Sequence, residues 1–174
     1  MSFEAAHRSV LHYLSLPPSR VADLGAGSGR DAAALAARGH DVYAVEPVPA
    51  FLKAAQHLHA HAAVTWIDDT LPDLDQLGGE FALVMTTAVW MHLDEDERAR
   101  GTRRIAGLLA PGGRWVLTLR HGSVPEGRRV FDVAPVEVIS AAADCGLELA
   151  HFSHCADAHG REGVSWTNLV LERL

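Results

Sequence analysis

The strongest constraint on this chain is an alternation of short apolar runs with longer helix-patterned segments. Residues 21–24, 41–45, 63–67, 81–86 and 114–119 read as strands, and residues 31–38, 50–60 and 95–109 as helices. Strands joined through helix-length crossovers call for a parallel sheet with helices on both faces. Residues 147–153 and 165–172 read as two last strands with a polar loop between them, so they can pair antiparallel at one edge. Residues 3–16 read as one amphipathic helix ended by Pro17 and Pro18, and residues 135–145 as a helix with Gly146 behind it. The expectation is an α/β fold, a doubly wound and mostly parallel seven-stranded sheet, with residues 1–174 in a single domain.

Composition narrows the function classes. The net charge of −7 argues against a nucleic-acid backbone as the main partner, although a local arginine patch stays possible among fourteen arginines. No apolar run approaches the roughly 20 residues of a membrane span. No secretory signal is visible in residues 1–11, and Cys145 and Cys155 cannot build a disulfide framework. A reducing, cytoplasmic setting is therefore expected.

Between the first strand of the sheet and its helix lies Asp23-Leu24-Gly25-Ala26-Gly27-Ser28-Gly29. Glycine lets a backbone turn sharply and approach a ligand, and the amides opening the next helix favour a negative group. Glu46 closes the second strand, 21 residues after Gly25, where a carboxylate can accept both hydroxyls of a ribose. The pair reads as a nucleoside-cofactor site. A dinucleotide fingerprint would be G-x-G-x-x-G, but Arg30 occupies the position of its third glycine.

An acidic residue followed by G-x-G-x-G resembles motif I of the class I S-adenosylmethionine-dependent methyltransferases. The resemblance covers nearly the whole chain and implies a Rossmann-like methyltransferase fold. It implies cofactor contacts from Asp23, Gly25, Ala26, Gly27 and Gly29, ribose contacts from Glu46, and an adenine contact from Asp68 or Asp69. Ala82 departs from the family, many of whose members carry aspartate there. The expected function is methyl transfer from S-adenosylmethionine to a small-molecule acceptor. Methylation of a nucleic acid, a nicotinamide-dependent oxidoreductase and a non-catalytic nucleoside-binding module are the alternatives.

Methyl transfer needs alignment, exclusion of water and, for some acceptors, removal of a proton. His92, after the fourth strand, and His121, after the fifth, are the candidate bases. Arg120 and Arg128, with Arg129 and Arg161 near them, are candidates for holding an acceptor carboxylate or phosphate; solvated surface pairing is the plainer reading. Trp90 and Trp166 read as packing. The irregular stretch 121–134 carries Gly122, Pro125 and Gly127 as turn residues, and is expected to cover the acceptor side with Phe131 closing over it. Neither His57, His59 and His61 nor the set His151, His154, Cys155, Asp157 and His159 has a metal-ligand spacing, so no metal is expected.

Overall fold

A computed structural model describes residues 1–124 and 127–174. Seven strands form one sheet: β1 (Arg20–Leu24), β2 (Asp41–Val45), β3 (Val64–Ile67), β4 (Phe81–Thr86), β5 (Leu109–His121), β6 (Leu147–Ala156) and β7 (Ser165–Arg173). Their order is β3-β2-β1-β4-β5-β7-β6. The first five run parallel, and β7 is antiparallel to both β5 and β6. The chain winds outward from β1 to β3, then returns to β4 on the other side of β1. The strand order therefore reverses between β1 and β4, the place where open α/β sheets bind ligands.

Among the described residues five α-helices accompany the strands: α1 (Phe3–Ala6), α2 (Arg30–Ala36), α3 (Pro49–Leu58), α4 (Glu95–Leu108) and α5 (Pro135–Ala143). Apolar residues on alternate positions of each strand feed two core layers. On one face Ala22, Val84, Trp115 and Leu117 pack with Ile105 and Leu108 of α4 and Val138 of α5. On the other, Val21, Leu83, Met85 and Val116 pack with Ala32 and Leu35 of α2 and with Phe3, Val10 and Leu14. Trp90 belongs to the first layer, its ring edge-on to Trp115 at 4.7 Å between centroids, so the packing reading of that residue holds.

Residues 3–16 do not form the single helix that their apolar spacing suggests. α1 ends at Ala6, and a separate 3-10 turn spans Leu11–Leu14. The break falls at His7, whose ring is buried and meets Asp31 at 2.8 Å. That contact is a polar anchor from a distant helix, and apolar periodicity carries no signal of it. Both β5 and β6 also run longer than their apolar cores, since ladder pairing with β7 continues as far as His121 and Ala156. Among the described residues no helix is long and apolar enough to cross a membrane.

Candidate active site

A cleft of about 1270 Å³ opens at the carboxyl ends of β1 and β4. Asp23 lines it from the end of β1 and Gly25, Ala26, Gly27 and Ser28 from the loop after it, Thr87 and Ala88 after β4, and Thr118 from β5. Because β6 and β7 are antiparallel, the end of one and the start of the other reach the same rim, bringing Asp157, Trp166 and Asn168 there. The N-terminal segment closes the near side with Ala5 and Arg8.

The glycine loop is held by Glu46. One carboxylate oxygen accepts from the Gly27 N–H at 2.8 Å, and the other from the Val48 N–H at 2.9 Å. Glu46 is 4% exposed, so these bonds are shielded from solvent. Gly25 and Gly27 both sit in the left-handed region, at φ 74° and 56°. They serve different ends. A Cβ on Gly25 would stand 2.5 Å from a Val89 methyl, whereas one on Gly27 would meet nothing within 4 Å. Gly27 therefore borders open space. Gly29 does not line the cleft; its missing side chain leaves room for the Trp66 ring, 2.6 Å from where a Cβ would stand.

Asp23 is buried, and its Oδ2 has no hydrogen-bond partner among the described residues. Burial, with the charge of Asp31 beside it, pushes the Asp23 carboxyl well above the usual carboxylate range. Asp31 goes the other way. Burial opposes its ionisation, but hydrogen bonds from His7 and Arg30 and the charges of both groups hold it well below that range. Thr87 adds a hydroxyl donor at 3.0 Å. The cleft floor thus pairs a carboxylate fully engaged by the protein with a carboxyl that has no ion pair among the described residues.

At the end of β3 the two aspartates separate. Both Asp69 oxygens accept backbone N–H groups, from Thr70 at 2.8 Å and Gln76 at 2.7 Å. Asp68 is exposed, and only its backbone carbonyl is engaged, by Gln76. Neither lines the large cleft.

On the acceptor side a second cleft of about 200 Å³ adjoins the first, sharing Ala88, Arg161 and Trp166 with it. Arg120, Arg128, His92, Met91 and Val130 complete its wall. The His92 Nδ1 lies 2.9 Å from the Arg129 carbonyl oxygen. A carbonyl only accepts, so Nδ1 carries the proton and Nε2 is left as the basic nitrogen. His121 is placed elsewhere. It follows Arg120 on a strand, so its side chain leaves from the opposite face, and its Nε2 meets the Thr167 hydroxyl at 2.9 Å. Arg120 and His121, both read from the sequence as facing the acceptor, therefore point to opposite faces of the sheet, and His121 is not brought to the cleft. Phe131 also lines neither cleft; its N–H donates to the Met91 carbonyl at 2.8 Å. Pro125, read as a turn residue of the same stretch, lies outside the described residues. Among the described residues no three His, Cys, Asp or Glu side chains are grouped to hold a metal ion.

A family model for the methyltransferase domain matches residues 21–113, more than half of the chain, from β1 through the turn inside β5. The chain belongs to the methyltransferase domain family. Among its relatives is a protein-L-isoaspartate O-methyltransferase of Stenotrophomonas maltophilia, 31% identical over 139 residues. That match takes in 75% of this chain and 61% of the relative, so the chain spans about three-fifths of its length. Solved structures share the fold. The magnesium protoporphyrin IX methyltransferase of Synechocystis, with S-adenosylmethionine bound, superposes with a TM-score of 0.78 at 23% identity. It covers 98% of this chain and 79% of its own. A 1,6-didemethyltoxoflavin-N1-methyltransferase of Burkholderia thailandensis, with 1,6-didemethyltoxoflavin and S-adenosylhomocysteine bound, gives a TM-score of 0.78 at 22% identity with the same two coverages, 98% and 79%.

In this methyltransferase domain several cleft residues have no sequence signature. Trp166, read as packing, walls both clefts. Its indole N–H donates to Asp157 at 2.9 Å, and Arg161 donates to the same carboxylate at 2.6 Å. These bonds, that from Arg161 foremost, hold Asp157 well below the usual carboxylate range. Asp31 is the other unforeseen residue. Its place in the first turn of α2, directly after Arg30, looks like an ordinary helix start. Only the fold brings His7 and Thr87 to it.

Proposed function

We propose that this domain transfers a methyl group from S-adenosylmethionine to a small-molecule acceptor. One observation carries the reading: the Asp23–Gly29 loop borders the large cleft at the strand-order reversal, with open space over Gly27 and a buried, unpartnered Asp23 oxygen. These features fit the cofactor. The cofactor's ammonium would supply the partner that the Asp23 Oδ2 lacks, directly or through water. Glu46 would accept the ribose hydroxyls with the lone pairs not used by Gly27 and Val48. Asp68 is the better candidate for the adenine amino group, because both Asp69 oxygens already serve the backbone.

Bound S-adenosylmethionine supplies an electrophilic methyl group on a sulfonium. The protein's part is to align an acceptor with it and exclude water. Thr87, Ala88 and Thr118 form the floor beyond the glycine loop, and the Ala88 N–H donates to the Thr118 hydroxyl at 2.8 Å, which fixes that floor. Where the acceptor atom must lose a proton, the His92 Nε2 is the nitrogen available to take it. His121 is bound to Thr167 on the other face of the sheet and is not assigned a part.

Calorimetry with S-adenosylmethionine, S-adenosylhomocysteine and NAD tests the reading. Both sulfur compounds should bind, and binding of NAD alone would overturn it. Glu46→Ala should weaken S-adenosylmethionine by about 1–3 kcal/mol, since a charged acceptor is lost and the loop it holds is released.

A further inference from the structure

We propose that the small cleft seats an anionic group of the acceptor, a carboxylate or a phosphate, between Arg120 and Arg128 beside the Trp166 ring. This rests on the methyl-transfer reading and narrows the acceptor to acidic small molecules.

The argument begins with how the arginines are used. The chain is acidic overall, at −7, and most of its arginines are engaged. Arg30, Arg38, Arg98, Arg100, Arg114, Arg129 and Arg161 each pair with a carboxylate. Arg104 and Arg173 donate to backbone carbonyls, and Arg20 lies over the Tyr43 and Phe81 rings. Arg120 makes one long bond, to the Gly122 carbonyl at 3.4 Å, and neither it nor Arg128 forms an ion pair among the described residues. Arg8 and Arg103 are likewise without an ion pair there but do not line the small cleft, whereas Arg120 and Arg128 both face that cavity of about 200 Å³. Two guanidiniums facing one small space in an acidic protein repel each other unless an anion lies between them.

The rest of the wall fits such a guest. Arg161 is tied to Asp157, so its own charge is largely answered and it acts as a fixed partition. Trp166 pairs with Arg120 in the β5–β7 register, so the two side chains leave the sheet on one face. An aromatic surface beside a guanidinium suits a planar acid. The volume is too small for a whole drug-sized ligand but large enough for a carboxylate or phosphate with part of a ring. Because the cleft shares Ala88 and Trp166 with the large one, an acid held there would reach toward the cofactor side with its remainder.

The test titrates benzoate and phenyl phosphate, with benzamide as the neutral control, into the protein with and without saturating S-adenosylhomocysteine. Heat and tryptophan fluorescence are the readouts, and Trp166→Phe assigns the fluorescence change. At least one anion should bind, benzamide should bind about tenfold more weakly or not at all, and added salt should weaken the anion. Arg120→Ala and Arg128→Ala should each weaken the anion by about tenfold, Arg120→Lys less, with S-adenosylhomocysteine affinity within about twofold of the parent. A preference for phenyl phosphate over benzoate assigns a phosphate, and the reverse a carboxylate. Failure of both anions to bind, equal binding of benzamide, or unchanged affinity in the arginine variants overturns the proposal. Anion binding in a protein that ignores S-adenosylhomocysteine would instead leave the arginine seat standing and remove the methyl-transfer reading.

Discussion

Gly25 and Gly27 have the same backbone sign and different reasons for being glycine. At Gly25 a side chain has no room, because Val89 already occupies the space. At Gly27 there is room, and only the left-handed φ of 56° and the approach of a ligand exclude one. Gly25→Ala should therefore lower the melting temperature strongly, since both the clash and the backbone strain act on the folded protein. Gly27→Ala should cost only about 1–2 kcal/mol of stability, the left-handed penalty, while cofactor affinity falls further. Thermal melts with and without S-adenosylmethionine distinguish them; a Gly27→Ala protein with full affinity would show that the open space is not the cofactor's. The sequence shows that these positions must be glycine, through strand, loop and helix in succession. It does not show which glycine meets protein and which meets ligand, because Val89 comes from another part of the chain. The same holds for Asp68 and Asp69, adjacent aspartates of which only the second has its carboxylate bonded to the backbone, at Thr70 and Gln76.

Among the described residues periodicity identifies five of the seven strands to within one residue and four of the five helices to within two, because apolar patterning is local information. It fails where an element is held by a polar contact from afar, as at His7, and where a ladder partner extends a strand past its apolar core, as in β5. The segment after β5 shows a third case. Its length and turn residues suggest a loose cover, yet Arg129 bonds Asp94 and Glu97, both at 2.8 Å. Asp94 is also the N-cap of α4, closing a capping box with Glu97. One helix start thus carries two loads. Asp94→Ala should cost about 1 kcal/mol through the lost cap. It should also loosen residues 127–134, seen as faster hydrogen exchange at the Phe131 amide, which is bonded to Met91. Arg129→Ala should quicken the same exchange with little change in melting temperature, since its pairs are exposed. Unchanged exchange in both variants would mean that the backbone bond alone holds the segment.

The mostly parallel sheet, its antiparallel edge and the site at the glycine loop follow from the alternation of strands and crossovers, so at the scale of the molecule the sequence is most informative; the order of the strands comes from the structure. What it hides is the charge balance inside. Asp23 and Asp31 are both acids near the glycine loop, yet the fold gives one a full set of partners and leaves one oxygen of the other without any among the described residues. For Asp23 the folded carboxyl titrates above its unfolded value. Unfolding then releases a proton, and stability falls as pH rises from the ordinary carboxylate range to the raised one. Asp31 is lowered, so its contribution is present above the unfolded value and is lost as pH falls through the folded one. Asp23→Asn removes the first effect without changing shape. The ligand-free variant should melt higher than the parent at pH 7, by about 2–4 °C for each kcal/mol relieved, and the difference should shrink toward pH 4. With S-adenosylmethionine added the order should invert, because an ammonium beside Asp23 favours the carboxylate and asparagine offers it no charge. The parent's affinity should accordingly rise with pH across the interval between the two carboxyl values, and the variant's should not. A variant that melts lower than the parent at pH 7 and binds equally well would show that Asp23 serves the fold alone.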